Sequence, residues 1–304
     1  MEKSFLVTLL LIIFLCACGD KRKSYTEQYD TPRSGTINIS VDESFEPVIS
    51  EQIKVYQSSY PDTKIVAYYK PEAECFRDLQ KDSTRMIIVA KGLTRDESDF
   101  YESRLSFKPQ FGILAYDAVS VIVNINAKDS VFTLQQLKDK LSGKDTTGNV
   151  VMDGKSATST VRFLLDSVLK GGSFGNNVTA ASGSKAVVDY VSKNVNAVGF
   201  VGSSWVVNDQ DPEQAAYQDK IRFALLACTR NCEPGSFAKP SQATITYGQY
   251  PLVRPLYYIL KENSTGLGTG FANFLNLERG QLVFRRSSLV PGTMYFGVRK
   301  GSIQ

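Results

Sequence analysis

The chain contains no histidine. That single absence excludes serine triads of the usual kind, most catalytic zinc sites and histidine phosphorelays. An enzyme built from this sequence would have to use carboxylates, Lys, Tyr or a Ser–Lys pair, so the balance tips toward binding without covalent chemistry. Internal repeats and low-complexity tracts are also missing. No basic cluster interleaves with aromatic residues, and the formal net charge is only +4, from 35 basic and 31 acidic side chains. A surplus this diffuse favours small anionic ligands mildly and is no nucleic-acid footprint. Lys155-Ser156 lacks the glycine spacing of a nucleotide phosphate loop. No metal site and no cofactor is expected.

What is present begins with the first eighteen residues. Lys3 precedes an apolar run from Phe5 to Leu15, which closes in Leu15-Cys16-Ala17-Cys18. A short apolar core followed by small residues reads as a secretory signal. It is too short for a mature membrane span, which takes about 20 residues. The closing cysteine resembles the lipobox of bacterial lipoproteins, in which Cys18 would be lipidated and become the new N-terminus. An ordinary cleaved signal with incidental cysteines is the alternative. Either reading places the protein in the cell envelope, on a periplasmic or extracellular face. Residues 1–17 are thus expected to be a leader and 18–34 a flexible tether, with Lys21-Arg22-Lys23 near anionic headgroups or simply solvated.

Five cysteines occur. Cys16 would leave with the leader. Cys228 and Cys232 flank the turn-like Thr229-Arg230-Asn231, and in an oxidising compartment they would either close a small surface disulfide or stay as two thiols. Cys75 is left over and expected to be buried.

The remaining chain, about 270 residues, is ample for two lobes. Thr36–Val41 alternates as a strand, and Ser44 reads as the N-cap of a helix burying Val48, Ile49, Ile53 and Tyr56. Lys64–Tyr69, Met86–Ala90, Ala115–Asn124, Val150–Met152, Ala197–Val201, Ile221–Leu226 and Pro255–Leu260 read as further strands. Several are unbroken apolar runs of the kind that parallel strands covered on both faces show. Helical stripes appear at Leu134/Leu137/Leu141, at Val161/Leu164/Leu165/Val168/Leu169 and at Leu267/Phe271/Phe274/Leu275. A short helix is expected over Phe76–Lys81. Ser184 reads as a cap for a helix burying Val187, Tyr190 and Val191, and Gly280–Phe284 as a continuation of the late helix. Strands alternating with helices argue for an α/β protein with mainly parallel sheets.

Two helix starts carry chemistry. Val41-Asp42-Glu43-Ser44-Phe45 and Asp153-Gly154-Lys155-Ser156-Ala157-Thr158-Ser159-Thr160-Val161-Arg162 each place small hydroxylated residues between a strand and a helix. Unpaired N–H groups and the positive end of the macrodipole make such a junction an anion cradle, although ordinary capping uses the same residues. Arg162 would add a bidentate cation. Asp117 is either a capping or hinge carboxylate or the acceptor for the proton of a protonated oxyanion, with Asp42 and Asp153 as competitors for that role. Lys91-Gly92-Leu93-Thr94-Arg95-Asp96-Glu97 either faces a cleft or forms a solvated charged loop.

Taken together these segments resemble the phosphate-binding proteins that serve ABC importers, within the type II periplasmic binding protein superfamily. The resemblance is carried by Gly35-Thr36-Ile37-Asn38-Ile39, Ala90-Lys91-Gly92-Leu93-Thr94 with Glu97, Tyr116-Asp117-Ala118, Phe132-Thr133-Leu134-Gln135-Gln136-Leu137 and Thr158-Ser159-Thr160. Further along come Asn196-Ala197-Val198-Gly199-Phe200-Val201-Gly202, Tyr250-Pro251-Leu252-Val253-Arg254-Pro255-Leu256-Tyr257, Gly280-Gln281 and Leu289-Val290-Pro291. It implies two α/β lobes, each with a mainly parallel sheet flanked by helices, joined by a two-strand hinge. Lobe 1 would comprise 35–118 with 249–304, and lobe 2 would comprise 119–248. The implied ligand-binding residues are Ser44, Phe45, Lys91, Asp117, Thr158, Ser159, Thr160 and Arg162. Departures are visible: Asp42-Glu43 stands where Gly-Ser is common, Lys91 where the family has arginine, and Ser159 where the family has glycine.

The function this implies is a lipid-anchored, extracytoplasmic receptor, monomeric and non-enzymatic. It would bind inorganic phosphate or a related oxyanion between its lobes and deliver it to an ABC permease, with its only membrane contact through the lipid. The alternatives are an oxyanion or small-ligand sensor of the same fold, or an envelope hydrolase using Ser156 beside Lys155.

Overall fold

The computed structural model describes residues 30–154, 157–208 and 210–294. The leader, Cys18, most of the tether and the Lys155-Ser156 pair lie outside them. No helix among the described residues is long and apolar enough to cross a membrane.

Among the described residues thirteen strands can be followed in chain order: β1 (Gly35–Asp42), β2 (Thr63–Lys70), β3 (Thr84–Val89), β4 (Gln110–Asn124), β5 (Val131–Phe132), β6 (Asn149–Met152), β7 (Val178–Ala180), β8 (Ala197–Gly202), β9 (Ile221–Phe223), β10 (Leu225–Ala227), β11 (Phe237–Ala238), β12 (Val253–Leu260) and β13 (Val290–Pro291). The main ladder runs β2-β1-β3-β12-β4-β8-β6-β7, with β13 and β9 also paired to β4. β1 lies parallel to both β2 and β3, and β6 lies parallel to both β7 and β8. β4 and β12 are antiparallel to each other and to the neighbours that flank them. Two parallel triplets are therefore joined through an antiparallel pair, and β4, at 15 residues, passes from one half into the other.

Each half is a three-layer stack, and the alternation of side chains shows why. In β3, Met86 and Ile88 enter one core with Ile39, Phe271 and Leu256, while Ile87 and Val89 enter another with Cys75, Leu79 and Ile259. In the second half, Val119, Val121 and Phe200 pack with Leu137, Val161 and Leu164, while Ile122 and Val201 pack with Val187 and Val191. Both faces of each sheet are covered by apolar side chains, which is what unbroken aliphatic runs require.

Local chemistry corrects several expectations. Asp42, not Ser44, caps the first helical turn: its side chain accepts from Ser44 N at 3.1 Å. Ser44 itself sits in the 3-10 turn Glu43–Phe45 that leads into the helix Glu46–Ser59. Gly183 occupies the cap before the helix Ser184–Lys193, making Ser184 the first helical residue. Arg95–Leu105 is a helix rather than a charged loop. The reciprocal Thr94/Glu97 capping box starts it, although its face is too polar to show a periodic stripe. The late helix breaks at Leu277, whose extended backbone separates Leu267–Asn276 from Glu278–Arg286. The short helix spans Glu72–Leu79. The last tether residues are fixed: Arg85 grips the Asp30 carboxylate at 2.7 and 2.8 Å, and Tyr56 donates to the Pro32 carbonyl. Cys228 and Cys232 form a disulfide, and Cys75 is buried as a free thiol.

Candidate functional site

Both hydroxyl-bearing helix starts lie at the seam between the halves. β1 delivers Asp42, Ser44 and Phe45 from one side. β6 ends at Met152, and the residues that follow deliver Asp153, Thr158, Ser159 and Thr160 from the other. The Ser44 hydroxyl stands 3.3 Å from Ser159 Oγ and 3.5 Å from Thr160 Oγ1, and it donates to Asp153 Oδ2 at 3.4 Å. More than a hundred residues of chain separate these partners, and all of them are buried.

A guanidinium completes the cluster. Arg254, on β12, donates through Nη1 to Ser159 Oγ at 2.8 Å and to Thr160 Oγ1 at 3.4 Å. Its Nε and Nη2 reach Asp117 Oδ2 at 3.1 and 3.0 Å. The Phe45 ring lies under it, 4.8 Å from ring centroid to guanidinium carbon. Such a cation held on an aromatic face and paired to a carboxylate is oriented before any ligand arrives. Asp117 is tied down on its other oxygen by the Ser203 amide at 3.2 Å.

Among the described residues, three buried carboxylates therefore face one buried cation. Burial pushes the Asp42 carboxyl up to about 7, against the pull of Arg254. Burial also raises Asp117, opposed by Arg254, and raises Asp153, opposed by the Thr158 hydroxyl. The partners of these acids differ. Asp153 Oδ1 accepts from Thr158 Oγ1 at 2.7 Å, and Asp117 is bonded on both oxygens. Asp42 Oδ1 accepts from the Ser44 amide, and its carboxyl also feels the Ser159 hydroxyl, but among the described residues no group comes within hydrogen-bond distance of its buried Oδ2.

Of the residues singled out from sequence, Ser44, Phe45, Asp117, Ser159 and Thr160 meet in this crevice. Thr158 borders it, but its hydroxyl is engaged in capping Val161 N and in holding Asp153. Lys91 and Arg162 are elsewhere. Arg162 donates to both oxygens of Glu72, at 2.5 and 3.1 Å, and reaches Asp166 at 3.5 Å. Lys91 pairs with Glu97 at 3.1 Å over the Phe76 ring. Both line a separate cavity of about 620 Å³ with Glu72, Phe76 and Phe100. Glu72 explains the diversion: it is buried, it also accepts from Ala90 N, and it needs a cation. Arg254 was not among the expected site residues. Its signal was a lone charge inside the apolar run Leu252-Val253-Arg254-Pro255-Leu256, mirrored by Asp117 before Ala118-Val119. A charge in such a run must find a buried partner.

The family model that matches residues 26–278 is that of the PBP superfamily domain. The chain belongs to this superfamily. Among curated proteins, this PBP chain is similar to the phosphate-binding protein PstS of Pseudomonas aeruginosa, 20% identical over 283 residues, covering 85% of this chain and 83% of that one. It is 25% identical over 210 residues to the PstS protein of Staphylococcus saprophyticus, covering 64% of this chain and 56% of the other. Among solved structures, a candidate phosphate ABC transporter substrate-binding protein from Clostridium perfringens, solved with phosphate bound, superposes with a TM-score of 0.69 at 20% identity, covering 84% of this chain and 99% of that one. An ABC-type phosphate transport receptor from Vibrio cholerae gives 0.60 at 17% identity, covering 84% of this chain and all of the other. The PBP fold thus accounts for the two lobes seen here. These relatives are named as phosphate-binding proteins and phosphate transport receptors.

Proposed function

We propose that this chain is an extracytoplasmic receptor that captures inorganic phosphate, or a closely related oxyanion, in the crevice between its lobes. The observation that carries the proposal is the fork of Arg254, buried and aimed at Ser159 and Thr160 while Ser44 approaches the same hydroxyls from the opposite lobe. Hydroxyl donors and one fixed planar cation suit a compact tetrahedral anion. Lobe 1 would comprise 35–118 with 249–304, and lobe 2 would comprise 119–248. The ligand would contact Ser44, Ser159, Thr160 and Arg254, with Phe45 supporting the guanidinium.

Asp42 Oδ2, buried with no described group within hydrogen-bond distance, favours an anion that still carries a proton. Its carboxylate would accept that proton in a hydrogen bond, whereas a fully ionised anion would leave two negative oxygens facing each other. The names of the PstS relatives support phosphate, and the similar Clostridium and Vibrio receptors support an ABC importer. The apolar leader ending at Cys18 supports a lipid anchor that keeps the receptor beside its permease, and a monomer is sufficient for that task.

Isothermal titration of the full chain with phosphate, sulfate and molybdate tests the reading. Phosphate should bind and sulfate should not, and Asp42→Asn should narrow that gap. If none of the three anions gives a binding isotherm, the proposal fails. Labelling with a radioactive fatty acid, abolished by Cys18→Ser, tests the anchor separately.

A further inference from the structure

We infer that Glu43 is a clasp between the lobes, a positioning residue that holds the crevice shut and sets how long the ligand stays. Its carboxylate accepts two hydrogen bonds from one residue of the opposite lobe: Ser184 N at 2.7 Å and Ser184 Oγ at 2.8 Å. Ser184 opens a helix of ten residues, so the carboxylate sits at that helix's positive end. The backbone is gripped as well. Trp205 Nε1 donates to the Glu43 carbonyl at 3.2 Å, and Ser204 Oγ donates to the Ser44 carbonyl at 2.9 Å. Segments around residues 184 and 204 of one lobe thus converge on a two-residue turn of the other.

Gly183 shows that the fit is specific. Its φ of 132° is one that side-chain-bearing residues rarely adopt, and a Cβ there would lie 3.0 Å from Glu43 Oε1. The close approach of the carboxylate to the helix start therefore depends on glycine at this position. The carboxylate part of the clasp is distinct from the anion crevice, because the Glu43–Ser184 bonds use none of Ser44, Ser159, Thr160, Asp117 or Arg254; where Ser204 touches the crevice residue Ser44, it bonds the backbone carbonyl and not the hydroxyl. Burial raises the Glu43 carboxyl to about 7, with the Ser184 amide opposing.

The residence-time part of this inference rests on the phosphate reading; the closure part does not. The experiment is run on the full chain with spin labels at Glu51→Cys and Lys193→Cys, one on each lobe, alongside stopped-flow release of phosphate. Glu43→Ala is expected to broaden the label separation toward longer distances and to speed release by about tenfold, with association changed far less. Glu43→Gln, which keeps an acceptor for Ser184 N and gains a donor for Ser184 Oγ, should restore most of both. Gly183→Ala should behave like Glu43→Ala from the other side of the clasp. Adding Ser184→Ala to Glu43→Ala should cause little further change. Wild-type label separations in both Glu43→Ala and Gly183→Ala overturn the clasp. Were the wild-type chain to bind no phosphate, the phosphate reading would fall, while the label separations would still decide the clasp. Circular dichroism melts confirm that each variant is folded, and Gly183→Ala and Glu43→Gln keep the test open if Glu43→Ala is not.

Discussion

Arg254 and Asp117 are directly opposite each other in the register of β12 and β4, and their side chains close a buried ion pair at 3.0 and 3.1 Å. They are 137 residues apart in sequence, and both lie on the strands that join the two halves of the molecule. The pair therefore stabilises the hinge and aims the cation with the same atoms. Removing Asp117 strips Arg254 of its directly bonded carboxylate and leaves only Asp42 and Asp153 nearby; breaking a buried pair in this way costs about 3–5 kcal/mol. Asp117→Asn should lower unfolding free energy in urea titrations by an amount in that range. Replacing both residues, as Asp117→Leu with Arg254→Met, should recover much of the stability while abolishing oxyanion binding.

The hydroxyls divide into two kinds. Ser44→Ala, Ser159→Ala and Thr160→Ala should each weaken phosphate binding by about 1 kcal/mol, or about fivefold in Kd, with small effects on stability. Thr158→Ala should do the reverse. It removes a helix cap and a bond to buried Asp153, so about 1 kcal/mol or more should be lost in thermal unfolding. Calorimetric binding and melting curves on the same preparations separate the two behaviours.

Arg162 and Arg254 make opposite predictions. Arg162→Ala should leave phosphate affinity within about twofold of wild type, because its guanidinium is committed to Glu72 and Asp166. Arg254→Lys should lose at least about tenfold, because an ammonium cannot reproduce the fork that spans Asp117 and Ser159. An affinity loss in Arg162→Ala equal to that in Arg254→Lys would show that the two cations share one site.

Acidity should stabilise the closed molecule. Asp42 and Glu43 are each raised to about 7, chiefly by burial, and Asp117 and Asp153 are raised as well. A carboxyl whose pKa is higher folded than unfolded holds its proton longer in the native state. Its contribution is complete below the unfolded value and is lost as pH climbs through the folded one. Melting temperature should therefore fall between roughly pH 5 and 8. Asp78, held well below the usual range by Lys70, Lys81 and Ser40 against the opposing effect of burial, is already ionised across that window. So is Asp145, lowered to about 2 first by Lys140. Asp42→Asn should flatten the slope; an unchanged pH profile in that variant would mean that Asp42 does not titrate there.

Much of this was legible along the chain, because it depends on neighbours in sequence. The alternation in β1, the apolar runs of β3, β4 and β8, and the hydroxyl-rich junctions after β1 and β6 are local patterns. A strand that stops at small polar residues and turns into a helix places Ser44, Ser159 and Thr160 at the same end of their strands. That two such ends face each other was an inference from resemblance. The absence of histidine pointed away from catalysis on composition alone.

The choice of cation was decided only by the fold. Arg162 and Lys91 stand beside hydroxyl or cleft-like segments in sequence, yet a chain that brings Glu72 and Glu97 next to them turns both aside. Arg254 stands in a segment with no other polar residue, yet strand pairing sets it across from Asp117 and under the hydroxyls of the opposite lobe. The clasp of Glu43 on Ser184 is hidden for the same reason. Periodicity and capping report which way a residue faces on its own element, whereas the partner of a buried charge is set by which elements become neighbours, and only the tertiary structure makes that choice.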